Sequence, residues 1–279
     1  MSDTLRRAGD GRTLLSLSRS AIAWEAIHSR TLQSEWNNVI VSRHPGFGRD
    51  PIKVQIGRKL PLPDRTFDAA YALHIFEHHH GDEVVPALRE LHRVMKPGAT
   101  LRISTPDVET EARLYLEAVA RLKAEPSEAN EVAYQLAIAR MIDQCVRSAS
   151  GGIMAQIVSA GRWREEDMQT IYGHALDFLI GRNTERLPRH RDLRDVPFAL
   201  WRRIEARLGR NHPAATGEYD ALKPDEFLMR DALGAAGFSE IEVCAPDRSR
   251  IPGWEKWDFD RAPDGSLIEP GLYIEATRP

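Results

Sequence analysis

Apolar positions recur along this chain with two periods. Short leucine-rich or β-branched runs alternate with stretches in which apolar side chains return every three or four residues, the spacings of buried strands and one-sided helices. Residues 13–17 (Thr13, Leu14, Leu15, Ser16, Leu17) read as a short buried strand, and 20–34 as a helix with Ile22, Ala23, Ala26, Ile27 and Leu32 on one stripe. Val39, Ile40 and Val41 form a second strand run, followed by a Pro- and Gly-rich loop, His44 to Pro51. Strands are expected at 52–56 and 67–73. A helix is expected from Asp82 to Met95, with Val84, Val85, Leu88, Leu91 and Val94 on its apolar face, stopping at Lys96-Pro97-Gly98. Residues 101–104 give the fifth strand.

The pattern then changes. From Val108 to about Leu208 only helical spacing is found, broken at Pro126, Gly151-Gly152, Gly181 and Pro188. Alternation resumes with a helix over 224–236, where Pro stands near the start and Gly237 just past the end, and with strands at 241–244 and 272–276. Strand–helix alternation argues an α/β fold whose parallel sheet is covered on both faces. The expected organisation is a core of 1–107 and 216–279 with a helical insertion, or lid, at 108–215.

Bulk composition narrows the function. The chain has 279 residues, 42% of them hydrophobic, which is enough for one large core. A net charge of −3 gives no electrostatic case for nucleic acid. No apolar run reaches the ~20 residues of a membrane span, and the polar N-terminus carries no secretory pattern, so a cytoplasmic protein is expected. Cys145 and Cys244 have no metal or redox spacing and read as buried free thiols.

One stretch carries more information than the rest, from Leu60 to Asp107. In order, Leu60, Pro61, Asp64, Phe67, Asp68, His74, Glu77, His78, Glu90, Arg93, Val94, Lys96, Pro97 and Gly98 resemble the central block of the class I S-adenosylmethionine-dependent methyltransferases of the broad type 11 group. Ala235-Ala236-Gly237-Phe238 and the run Leu272 to Ala276 resemble the last helix and closing hairpin of that family. The resemblance covers about 13–107 and 222–279. It implies a Rossmann-like sheet of seven strands, mostly parallel with one antiparallel strand near the edge, and S-adenosylmethionine as cofactor. Ligands in such sheets bind at the carboxyl ends of the strands, here residues 18–20, 42, 55–57, 72–78 and 105–107.

The resemblance implies a cofactor site made by Leu17, Ser18, Ser20, Ser42, Gln55, Ile56, Leu73 and His74. The chain departs from the family there. Ser18 and Ser20 stand where the family has the two glycines of its tight turn, and a Cβ resists the positive φ that glycine allows. Arg19 lies between them. The acidic residue that holds the ribose falls at Val41 or Ser42, and the adenine contact at Gln55, whose amide serves that role.

His74, Glu77 and His78 are the candidate catalytic residues, a histidine being suited to act as general base near neutral pH. The plainer alternative is that they shape the pocket floor and cap a helix. His79 and His80 follow directly, but consecutive side chains point apart, so no metal site is expected. Asp107, Arg147, Tyr172 and His174 are candidate substrate-binding residues, with capping and helical packing as their alternatives. Trp254 and Trp257 are expected in core packing, and the Arg-rich stretch 182–210 reads as a solvated face.

The reading is a methyltransferase-like protein of biosynthesis, passing a methyl group to O or N of a small molecule such as a sugar or secondary metabolite. Neither nucleic acid nor membrane is expected as a partner, and a homodimer or a partner enzyme stays open. Two alternatives stand beside it: a scaffold subunit that has lost the cofactor, and a non-methylating enzyme on the same fold.

Overall fold

The computed structural model describes residues 12–18, 37–42, 52–53, 59–148, 151–173, 219–257, 259–261 and 265–279. The chain divides into two compact units. One comprises 1–107, 222–267 and 271–279; the other comprises 108–221 and 268–270.

The first unit holds a seven-stranded sheet: β1 Thr13–Ser18, β2 Asn37–Ser42, β3 Ile52–Lys53, β4 Phe67–Leu73, β5 Met95–Thr105, β6 Ser239–Val243 and β7 Leu272–Thr277. Their spatial order is β3-β2-β1-β4-β5-β7-β6. The first five strands pair in parallel, while β7 runs antiparallel to both β5 and β6. This is the α/β sheet expected from the pattern, with its single reversed strand next to the edge. The expected helix over 20–34 and the remainder of the third strand lie outside the described residues.

Alternation along β4 sorts the core into two faces. Ala70 and Ala72 face α1 (Gly81–Val94) and α2 (Glu226–Ala235), with Leu88, Leu91, Met229 and Leu233 buried among them. Tyr71 and Leu73 face the other way, into a cluster with Leu14, Ile251, Trp254 and Phe259. A strand buried on both faces is the mark of a covered parallel sheet.

The motif residues tie these elements together. Arg93, at the end of α1, pairs with Glu90 at 2.8 Å and Asp64 at 2.5 Å, and donates to the carbonyls of Leu60 and Leu62. Glu90 accepts from the Leu60 N–H. Asp68 accepts from the Thr13 N–H at 2.9 Å and from Lys96 at 2.8 Å, joining β1, β4 and the start of β5.

Two expectations are corrected. Helix α1 ends at Val94, ahead of Lys96-Pro97-Gly98; Met95 is already extended (φ −80°, ψ 152°) and opens β5. Pro97 disfavours a helical Lys96, so the chain straightens early, pairs Met95 with Phe67, and bulges before pairing resumes at Ala69 and Thr100. Cys145 and Cys244 are half-buried rather than buried. Cys244 follows β6, where its Sγ accepts from Arg102 at 2.9 Å.

The second unit is helical among the described residues: α3 Val108–Ala124, α4 Glu128–Ile138, α5 Gly152–Ala160 and α6 Glu165–Tyr172. Leu136, Ala137, Met154, Ile157, Met168 and Ile171 form its core. Helix α4 runs on into a wider π turn, Ala139–Asp143. The Asp143 carboxylate accepts from the N–H groups of Ile153 and Met154, capping α5 from across the loop. Among the described residues no helix is long and apolar enough to cross a membrane.

Candidate active site

The carboxyl ends of β1 and β4 meet in register, Ser18 beside Leu73. The chain leaves β4 through His74, whose φ of +52° is left-handed. A side chain resists that region at a cost of about 1–2 kcal/mol, so the conformation must be held by its neighbours. Leu73 is anchored in one face of the core and Ile75 in the other. The His74 N–H donates to the Ser104 carbonyl at 3.0 Å.

This sharp exit carries the chain into a single 3₁₀ turn, Phe76–His78, which brings Glu77 back beneath His74. His74 Nδ1 lies 2.9 Å from Glu77 Oε1. His78 Nε2 is 3.8 Å from the same oxygen. The Thr105 hydroxyl donates to Glu77 Oε2 at 3.3 Å, and the Glu77 carbonyl accepts from the Leu222 N–H at 2.9 Å. The Glu77 side chain is 2% exposed and that of His74 18%.

Burial by itself would raise the Glu77 pKa. The charge of His78 and the hydrogen bond and charge of His74 outweigh burial, and the pKa falls from 4.5 to about 2. Glu77 is therefore an anion at neutral pH and can only accept hydrogen bonds. The nitrogen of His74 facing it carries the proton, which leaves Nε2 as the basic atom of the neutral ring. Such a pair can orient an imidazole, take a proton and stabilise the resulting cation.

His79 and His80 have structural places. His79 is buried, its Nδ1 2.8 Å from the Ile75 carbonyl. His80 stands at the N-terminus of α1, where its N–H donates to Glu83 at 3.0 Å. Among the described residues no group of three or more His, Cys, Asp or Glu is arranged to hold a metal.

The remaining expected residues divide. Leu17 is buried in β1, and Ser42 ends β2. Ser20, Gln55, Ile56 and His174 lie outside the described residues. Asp107 closes the first unit, one residue ahead of α3. Arg147 pairs with Asp143 at 2.7 Å inside the helical unit, beside a cleft of about 530 Å³ that it lines with Val146, Ile153 and Gln156. Tyr172 is buried in that unit's core, donates to the Leu136 carbonyl at 3.1 Å and lies under the Arg140 guanidinium. Sequence reasoning did not single out Thr105 as a partner of Glu77. Its signal was position alone, as the last residue of β5 beside Leu272.

Residues 9–103 match the family model described as a methyltransferase domain. The matched segment contains β1 to β4, the His74–Glu77 pair and most of β5. The seven-stranded sheet built on it, with β7 reversed between β5 and β6, is the class I methyltransferase arrangement. Similar solved structures include a SAM-dependent methyltransferase from Aquifex aeolicus (22% identity over 38% of this chain and 64% of that one, TM-score 0.30). Another is a SAM-dependent methyltransferase from Archaeoglobus fulgidus (12% identity, 96% and 86%, TM-score 0.41). A third is PigF with SAH (9% identity, 100% and 60%, TM-score 0.40). The matches thus span less than two thirds of the Aquifex and PigF chains. Comparison with curated protein sequences gave no match.

Proposed function

We propose that this methyltransferase-family chain uses S-adenosylmethionine to methylate an O or N atom of a small molecule, with His74 as general base. The observation that carries the reading is the His74–Glu77 pair at the carboxyl end of β4, inside the segment that matches the methyltransferase domain. Ligands of open α/β sheets sit at that edge.

Part of this edge suits the cofactor's chemistry, although Ser18 replaces a turn glycine of the family and Ser42 stands where its ribose acid falls. β1 and β2 end on the small residues Ser18 and Ser42, and Glu77 supplies an anion that favours a sulfonium over an anionic ligand. Of the residues expected to hold it, Leu17, Ser18, Ser42, Leu73 and His74 are described. When bound, S-adenosylmethionine supplies an electrophilic methyl group on sulfur.

The chain's own part is positional and protolytic. Glu77 fixes the His74 ring and its tautomer. As the methyl group left sulfur for the acceptor oxygen or nitrogen, with S-adenosylhomocysteine as the other product, the acceptor's proton would pass to His74 Nε2, and the imidazolium so formed would be stabilised by Glu77 at 2.9 Å. Alignment of acceptor and methyl carries the rest of the acceleration.

Calorimetric titration with S-adenosylhomocysteine and S-adenosylmethionine is the first test, with micromolar binding expected; a folded protein that binds neither at millimolar ligand rules the reading out. Once an acceptor is found, His74→Ala should retain cofactor binding while turnover drops by about 10²–10⁴-fold, the usual worth of a general base.

A further inference from the structure

Between β6 and β7 the chain makes a long excursion, described at residues 244–257 and 259–261, across the sheet face opposite α1 and α2. At its centre lies Arg102, a β5 residue with a fully buried side chain. In register it stands between Tyr71 of β4 and Glu275 of β7. Its guanidinium pairs with Asp260 at 2.7 Å and Glu275 at 3.0 Å, and donates to the carbonyls of Pro246 at 3.1 Å and Arg248 at 2.8 Å. Trp254 covers its face at 4.4 Å. Asp260 also accepts from the Tyr71 hydroxyl at 2.6 Å. Glu275 accepts from the Arg250 N–H, so both carboxylates bind the excursion to the sheet. Arg102 is thus a nail driven from β5 through a loop that wraps around its head.

The nail reaches the candidate base through β5, the strand paired with β4. Two residues beyond Arg102, the Ser104 carbonyl receives the His74 N–H. Leu73, which precedes His74, packs with Ile251, Trp254 and Phe259 of the same excursion. The strand that accepts the His74 N–H and the residue that precedes His74 are therefore both held by one loop.

We infer that the 244–261 excursion, clamped by Arg102 and Asp260, holds His74 in its left-handed conformation and so keeps its imidazole on Glu77. Arg102, Asp260 and Leu73 are positioning residues: they act through His74 and touch no reacting atom. Strain at a functional residue persists only where the surroundings over-determine it, and this loop supplies that determination. The meaning for catalysis rests on the reading of His74 as base, whereas the geometry itself does not.

The test reads the His74–Glu77 contact directly. In ¹⁵N-histidine-labelled protein, a proton held between Nδ1 and a buried, ionised carboxylate gives a far-downfield resonance that exchanges slowly with water. Three variants are compared by that signal and by near-ultraviolet circular dichroism. Asp260→Asn is isosteric, Trp254→Phe is milder, and Met229→Ala opens a cavity on the opposite face. The resonance should vanish into exchange in Asp260→Asn and broaden in Trp254→Phe, while Met229→Ala keeps it. Retention in a folded Asp260→Asn, or equal loss in Met229→Ala, overturns the inference. Binding of S-adenosylhomocysteine is measured on the same samples. A wild-type protein that binds none, yet whose resonance responds as expected, sinks the methyl-transfer reading and leaves the positioning role standing.

Discussion

Glu77 concentrates the electrostatics of the site in one buried carboxylate, and its ionisation ties the site to stability. Its folded-state pKa of about 2 lies below the ordinary 4.5. A depressed carboxylate stabilises the fold fully above pH 4.5, and that contribution, on the order of 3 kcal/mol, fades as pH falls towards 2. Glu77→Gln should flatten stability between pH 4.5 and 2 while lowering it at neutral pH, as read by denaturant midpoints across that range. An acid profile identical to wild type would remove Glu77 from the account. The His74–Glu77 pair was legible in the sequence because a motif delivers both residues within one turn of the same strand end. Arg102 was not. An arginine among Leu101, Ile103 and Ser104 reads as the solvent side of a strand, and nothing local announces that its counter-ion, Asp260, lies in a loop far along the chain.

At the scale of elements, β-branched and leucine-rich runs placed the strands and their order of appearance, because each strand buries its own side chains. Boundaries were harder. Met95 begins β5 through a bulge that leaves no periodic trace, and the π turn at Ala139–Asp143 looks like ordinary helix in sequence. The Gly151-Gly152 break was visible, but its reason is tertiary. Both glycines have positive φ, and a Cβ on Gly152 would strike the Asp143 carboxylate that caps α5. Gly161, at the other end of α5, has φ +66° with open space around it. Gly161→Ala should therefore cost about 1 kcal/mol from backbone strain alone. Gly152→Ala should cost at least about 2 kcal/mol, since the cap is lost as well. Equal shifts in denaturant midpoint for the two would mean that Asp143 contributes little.

The whole molecule is discontinuous. The chain passes between its two units at 107/108, 221/222, 267/268 and 270/271. The change from alternating to purely helical spacing falls at Val108, the residue at which the second unit begins. Periodicity did not show that Ile268–Pro270 joins the helical unit, since three residues are too few to carry a period. The order of the sheet has a further consequence for how the protein is made. β7 is translated after β6 yet lies between β5 and β6. While the chain emerges from the ribosome, β5 keeps an open edge until everything from Val108 to Gly271 has been synthesised, and such an edge invites pairing with other chains. A chain stopped at residue 265 is expected to collect in the insoluble fraction, and adding the β7 segment back as a separate peptide during translation should recover soluble protein. Until that last strand is in place, the exposed edge of β5 is thus expected to need shielding from other chains.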